Sequence, residues 1–220
     1  MRIPAKRTVL IMMAAALLLV SADASAREFG RIDLPAPGTE GGLPLMQALA
    51  LRHTSRSFST EELPGQVLSD LLWAAAGINR PESGKRTAPT ARNWQEIDIY
   101  VAMEEGLYIY DPEQHALIPV LAGDFRALTG SQDFVAWAPV NLVYVADYDR
   151  MGKAPEDVKK AYSWADTGFI AQNVYLYCAS AGLSSVVRGL VDRDALEEAM
   201  ELPPTRHVVF GHTVGYPASE

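Results

Sequence analysis

Between Pro155 and Gly182 the chain has room for one long helix and little else. Pro155, Glu156 and Asp157 suit a first turn: proline gives up only a donor that is unpaired there, and carboxylates favour the positive end of the helix dipole. Gly182 is the residue type that ends a helix in a left-handed conformation. A helix running to about Ala181 would be ~40 Å long at 1.5 Å per residue, enough to cross the middle of a domain. Ala161, Ala165, Gly168 and Ala179 fall near one face. Small side chains let another helix approach closely, so this helix is expected to be central, with a face open to a second subunit.

The other elements are shorter. Pro44 suits a first helical turn, and Leu45, Leu49 and their neighbours carry a helical stripe to Leu51. After the capping run Ser59-Thr60-Glu61-Glu62, a helix is expected over Pro64–Ala76. Its apolar residues Val67, Leu68, Leu71, Leu72 and Ala75 recur at helical spacing, and Gly77 follows. Residues 79–93 lack periodicity and read as a loop holding Arg80, Lys85, Arg86 and Arg92. Ile97, Ile99 and Val101 alternate with Glu96, Asp98 and Tyr100, the pattern of a half-buried strand. Gly106 turns the chain into a strand over Leu107–Tyr110. Val140–Ala146 reads as a central strand, and Ser184–Val187 and His207–Val214 as two more around a short helix at Asp192–Met200. The fold class is α+β, a mostly antiparallel sheet flanked by helices. No Gly-x-Gly-x-x-Gly follows a strand and there is no phosphate-loop motif, so Rossmann and nucleoside-triphosphatase readings have no support.

The first 26 residues read as a secretory signal. Arg2, Lys6 and Arg7 precede the apolar run Val9–Val20, and Ala24-Ser25-Ala26 is a small-residue cleavage site. Lys6-Arg7 is not a twin-arginine pair, so export of an unfolded chain to the periplasm or the exterior is expected. The domain organisation is then signal 1–26, an extended Pro/Gly-rich arm 27–42, and one domain 43–220. Removing three basic residues and one acidic takes the formal charge from −8 to −10. That acidity argues against nucleic acid and against anionic membranes as partners of the mature chain. The sole cysteine, Cys178, excludes an internal disulfide and a Cys-rich metal site, and reads as a core thiol.

Chemistry concentrates in Leu51-Arg52-His53-Thr54-Ser55-Arg56-Ser57-Phe58. Two guanidiniums four residues apart bracket an imidazole and two hydroxyls where a helical stripe stops. Such a cluster suits an anion with several oxygens, because guanidinium binds phosphate bidentately and hydroxyls take the remaining lone pairs. An exposed basic turn is the plain alternative. His53 is expected to orient the loop rather than act as a base. His207 and His212, five apart on one strand, are expected on opposite faces and so form no metal pair. Trp94 and Trp137 are expected to be buried, and Tyr162, Tyr175 and Tyr177 to lie in the core or an interface. No Gly-x-Ser-x-Gly or Ser-His-Asp ordering supports a hydrolase.

Three blocks together resemble the FMN-dependent nitroreductase family, most closely its SagB-type dehydrogenase-like branch. Arg52–Phe58 is similar to the family's N-terminal Arg-x-Ser-x-Arg/Lys-x-Phe block. Thr87-Ala88-Pro89-Thr90-Ala91-Arg92-Asn93-Trp94-Gln95 resembles its flavin-ring loop. Asp166–Asn173 resembles its central helix, with Gly182–Gly189 following. The resemblance implies a dimer with FMN at the subunit interface. Arg52, His53, Thr54 or Ser55, and Arg56 would serve the phosphate and ribityl chain, Asn93 with Gln95 the pyrimidine edge, and Arg188-Gly189 the turn near the reactive nitrogen. It implies two-electron, ping-pong reduction of a nitroaromatic, quinone or related conjugated acceptor, from NAD(P)H or, outside the cytoplasm, a partner redox protein. No side chain is given a catalytic role and no metal is implied. Many relatives carry a C-terminal basic pair that this sequence lacks, and Arg188 stands where better-known members have Glu. A second reading therefore stays open: a non-catalytic flavin carrier or dimeric binding module on the same fold.

Overall fold

The computed structural model describes residues 29–219, so the expected signal at 1–26 lies outside the described residues. The frame is a seven-stranded sheet in the order β1-β6-β5-β4-β7-β9-β8, with every pairing antiparallel. Its strands are β1 (Ile32–Asp33), β4 (Ile97–Ala102), β5 (Gly106–Asp111), β6 (Ala116–Ala122), β7 (Val140–Asp147), β8 (Ser184–Arg188) and β9 (Arg206–Gly215). The helices are α1 (Leu45–Leu51), α2 (Gly65–Ala76), α3 (Glu156–Ala181) and α4 (Arg193–Ala199). One sheet face packs α2 and α3 against Ile97, Ile99, Val101, Leu142 and Tyr144. The other closes over Tyr100, Ala102, Val143 and Val145 with Leu196 and Met200, from α4 and its C-terminus. Both faces being covered explains why β4 is buried almost throughout rather than half-buried as its alternation suggests.

Helix α3 matches its sequence signals. Pro155 caps its start, and Gly182 at φ 69° ends it, with the Leu183 N–H reaching back to the Cys178 carbonyl. Ser163, Asp166, Thr167, Ile170, Ala171, Val174 and Cys178 form its buried stripe. Ala161, Tyr162, Trp164, Ala165, Gly168, Phe169 and Gln172 form the opposite, exposed face. Leu45, Met46 and Leu49 of α1 are exposed as well.

Several expectations change. The arm is not merely extended: Ile32 and Asp33 pair with Leu117 and Ala116 at the sheet edge, and Phe29 packs on Tyr108. The 79–93 loop contains a small hairpin, β2 (Ile78–Arg80) with β3 (Lys85–Arg86). Strand β6 carried no clear sequence signal, because Pro119 interrupts it and its outer edge is paired only at Ala116 and Leu117. Trp137 is exposed rather than buried. His207 and His212 share a face: they pair with Ala146 and Leu142, four apart on β7, because a bulge in β9 beside Tyr144 and Val145 shifts the alternation by one. Among the described residues no cluster suited to a metal exists.

Candidate functional site

The Arg52–Phe58 segment leaves α1 and runs along the free edge of β8. The Ser55 N–H donates to the Ser185 carbonyl at 3.1 Å, and the Ser184 hydroxyl donates to Ser55 Oγ at 2.9 Å. Phe58 anchors it, buried against Phe134 at 5.2 Å between centroids, with Val186 in the same cluster. With Phe58 turned in, the charged residues are left outside. The Arg52 guanidinium lies 5.4 Å from the centre of the Tyr175 ring, a cation–π contact. Arg56 is exposed, and neither arginine forms an ion pair among the described residues. Thr54 Oγ1 lies 3.3 Å from the Tyr175 hydroxyl, which accepts the Val187 N–H at 2.9 Å. His53 donates from Nδ1 to the Leu51 carbonyl at 2.9 Å, so its geometry is that of a loop-orienting side chain.

The second cluster is the loop from Thr90 to Gln95. Arg92, Asn93 and Gln95 have φ of 51°, 56° and 50°, a region that L-residues enter at a cost of roughly 1–2 kcal/mol each. Tertiary bonds hold them there. Gln95 accepts from Arg86 Nε at 2.9 Å and donates to the Gly84 carbonyl at 3.0 Å and to Asn93 Oδ1 at 3.3 Å. Arg150, itself paired with Asp98 at 2.8 Å, donates to the Gln95 carbonyl at 2.8 Å. Gln95 is thus used inside the protein, and Asn93 is the exposed amide that it steadies. Beneath the loop lie two buried carboxyls. Asp166 of α3 accepts the Ala91 N–H at 2.9 Å, and Glu96 accepts the Thr90 hydroxyl at 3.0 Å. Burial, with Asp166 beside it, pushes the Glu96 carboxyl up to about 7.

Arg188 closes β8, and its side chain turns into the protein. It is 2% exposed and donates to Thr213 Oγ1, Asn141 Oδ1 and both the carbonyl and hydroxyl of Thr129. Among the described residues no carboxylate pairs with it, and burial lowers its pKa to about 10. The Gly189-Leu190 turn that follows is exposed, and its backbone is open to a ligand. Nearby His212 is fully buried, bonded through Nδ1 to the Tyr144 hydroxyl at 2.9 Å, and held neutral with its pKa lowered to about 3 by burial and by Arg188.

The expected site residues therefore fall into two groups. Arg52, His53, Thr54, Ser55, Arg56 and the Arg188-Gly189 turn gather around β8 and Tyr175. Asn93 and Gln95 sit beyond Asp166. Tyr175 stands nine positions after Asp166 on α3, or ~13 Å along the helix axis. Sequence reasoning missed Tyr175 as a site residue, and missed Glu96 and Asp166 as supports of the loop. An acidic residue on the inward stripe of the long helix was the available signal for Asp166.

An antiparallel sheet with a long helix along it, a basic edge segment and an amide-bearing loop define an α+β domain with a basic, anion-binding type of edge. The Nitroreductase family profile matches residues 49–216. A nitroreductase-type protein of Methanocaldococcus jannaschii is 32% identical over 170 residues, covering 73% of this chain and 85% of that protein. A nitroreductase-type crystal structure from Ralstonia eutropha superposes with TM-score 0.83 at 47% identity, covering 86% of this chain and 90% of that one. The NADPH:FMN oxidoreductase of Vibrio harveyi, complexed with NAD+, shares the fold at TM-score 0.62 and 20% identity, over 80% of this chain and 69% of that one. The chain belongs to the nitroreductase family and is an oxidoreductase.

Proposed function

We propose that the mature chain is an exported, FMN-dependent oxidoreductase of the SagB-type branch. In this reading it works as a homodimer that reduces a nitroaromatic, quinone or related conjugated acceptor by two electrons in a ping-pong cycle. The observation that carries the proposal is the splitting of the site along α3. One chain offers a phosphate-type cluster at Tyr175 and an amide loop beyond Asp166, separated by a stretch of α3 whose Gly168, Phe169 and Gln172 are exposed in the single chain. Antiparallel packing of two such stretches would bring each chain's loop to the other's cluster. The exposed aromatics Tyr162, Trp164 and Phe169 lie along the same helix and would be covered by the same packing.

The residues fit the cofactor. Arg52 and Arg56 have no acidic partner among the described residues, and Thr54 Oγ1 and the exposed Ser57 hydroxyl stand beside them. Bound FMN would supply the redox chemistry, taking two electrons from a donor and passing them to the acceptor. The chain's own task is to hold the phosphate with Arg52 and Arg56 and to present the Asn93 amide and the Gly189 backbone to the ring. Those dipoles stabilise charge that develops on reduction without transferring protons themselves. Anaerobic assay of mature protein with added FMN, a small reductant and menadione or a nitrobenzoate tests the proposal. Acceptor reduction well above the rate with FMN alone is expected; equality of the two rates would favour a flavin carrier instead.

A further inference from the structure

Glu96 and Asp166 are both buried, at 0% and 2% exposure, and sit together under the strained Thr90–Gln95 loop. Each holds a different part of it. Asp166 Oδ2 takes the Ala91 N–H, while Glu96 Oε2 takes the Thr90 hydroxyl, whose oxygen in turn accepts the Gln95 N–H at 3.1 Å. Glu96 Oε1 is buried and makes no hydrogen bond among the described residues. An ionised carboxylate would leave that oxygen buried without a partner, whereas a protonated carboxyl facing Asp166, which lines the same small cavity, has an acceptor for its hydrogen. The loop above holds Arg92, Asn93 and Gln95 in the left-handed region, so it relaxes once its ties fail.

We propose that a protonated Glu96 facing Asp166 acts with it as a latch, positioning the Asn93 amide for the flavin ring. The acid–carboxylate pair holds Thr90 and Ala91; removal of the proton puts two negative charges side by side and releases the loop. No oxidant or further reactant is needed, since the only exchange is a proton with water. The other charges around Glu96 do not replace that proton. Arg86 of β3 lines the same cavity of about 20 Å3, but its Nε is committed to Gln95. Asp147 of β7 contacts Glu96 only through its backbone N–H, its carboxylate being paired with Arg206 at 3.2 Å and Arg150 at 3.5 Å. The raised pKa of Glu96, about 7, puts the switch within the ordinary pH range. Glu96 and Asp166 are positioning residues, acting through Asn93, and their role for the flavin rests on the functional reading above.

The test combines amide exchange and FMN binding in the full mature protein between pH 5.5 and 9. In flavin-free protein, the Ala91 amide exchange rate, corrected for its intrinsic pH dependence, is expected to rise at least tenfold as pH passes through about 7. Glu96→Gln, whose amide donates to Asp166 at every pH, should stay flat, as should Asp166→Asn, whose amide donates to Glu96. FMN affinity of the wild type should fall over the same interval and that of Glu96→Gln should not. A wild-type exchange rate with no step, or the same step in both variants, would overturn the latch. Absence of FMN binding at any pH, with the exchange step present, would refute the flavin reading and leave the latch standing.

Discussion

Replacing Arg52 with alanine should separate cofactor affinity from folding. In the free protein the guanidinium makes no ion pair among the described residues, and its one notable contact is the Tyr175 ring at 5.4 Å. A partly exposed cation–π contact is worth about 0.5–1 kcal/mol, so thermal stability should fall by a few degrees at most. A charge-assisted hydrogen bond to a phosphate oxygen is worth about 1.5–3 kcal/mol, which is roughly a ten- to hundred-fold loss of FMN affinity. Arg56, exposed and without a side-chain partner among the described residues, should lose a similar factor with still less effect on the fold. The assay is fluorescence titration of FMN into each variant beside a thermal melt. Raised salt should weaken wild-type binding more than that of either variant, because fewer charge contacts remain to be screened. Unchanged titrations in both variants would remove this segment from the site. A large loss of stability with unchanged affinity would make the arginines structural.

Three further outcomes follow from the same geometry. Cys178 is buried with its thiol pushed up to about 12 by desolvation, so a thiol-reactive dye at pH 7.5 should label native protein only at the rate of unfolding; fast stoichiometric labelling would contradict its placement. Glu96 is raised from 4.5 to about 7 in the folded chain, so the native state holds a proton that the unfolded chain has shed between those values. Stability should therefore decline as pH rises from about 4.5 to about 7 and level off above; in denaturant titrations Glu96→Gln should lack that decline, and an identical slope would refute the assignment. If export removes the protein from a nicotinamide pool, the FMN-loaded protein should accept electrons poorly from NAD(P)H and better from a small reductant or redox protein. Rapid, saturable bleaching by micromolar NADH in stopped flow would refute that.

The frame was legible where the sequence carries periodic or terminal signals. Leu68, Leu71, Leu72 and Ala75 place α2, and Pro155 with Gly182 bounds α3 to within a residue. Strand β6 and the small hairpin at Ile78–Arg86 were not legible, since Pro119 breaks one and the other is too short to show a period. The error over His207 and His212 has a single cause: a bulge is a backbone event that a period-two count cannot register. Among the candidate site residues, the arginines stand out by type and spacing, whereas Asn93 is named only through the family resemblance. The roles of Gln95, Glu96 and Asp166 could not be read, because each depends on a partner reached only through the tertiary fold. Nor could a count of residues show that the Arg188 side chain turns inward to Thr129, Asn141 and Thr213.

Stoichiometric FMN binding by wild type and Gly168→Leu, read with sedimentation of the same samples, tests the split site most directly. Gly168 is exposed on α3 and a Cβ there meets no atom within 4 Å of its own chain, so leucine should leave the fold intact while blocking close approach of a second α3. The account predicts a wild-type dimer binding one FMN per chain, and a folded Gly168→Leu monomer that binds none at the same concentration. A monomeric wild type that binds FMN, or a monomeric variant with undiminished affinity, would show that one chain completes the site alone.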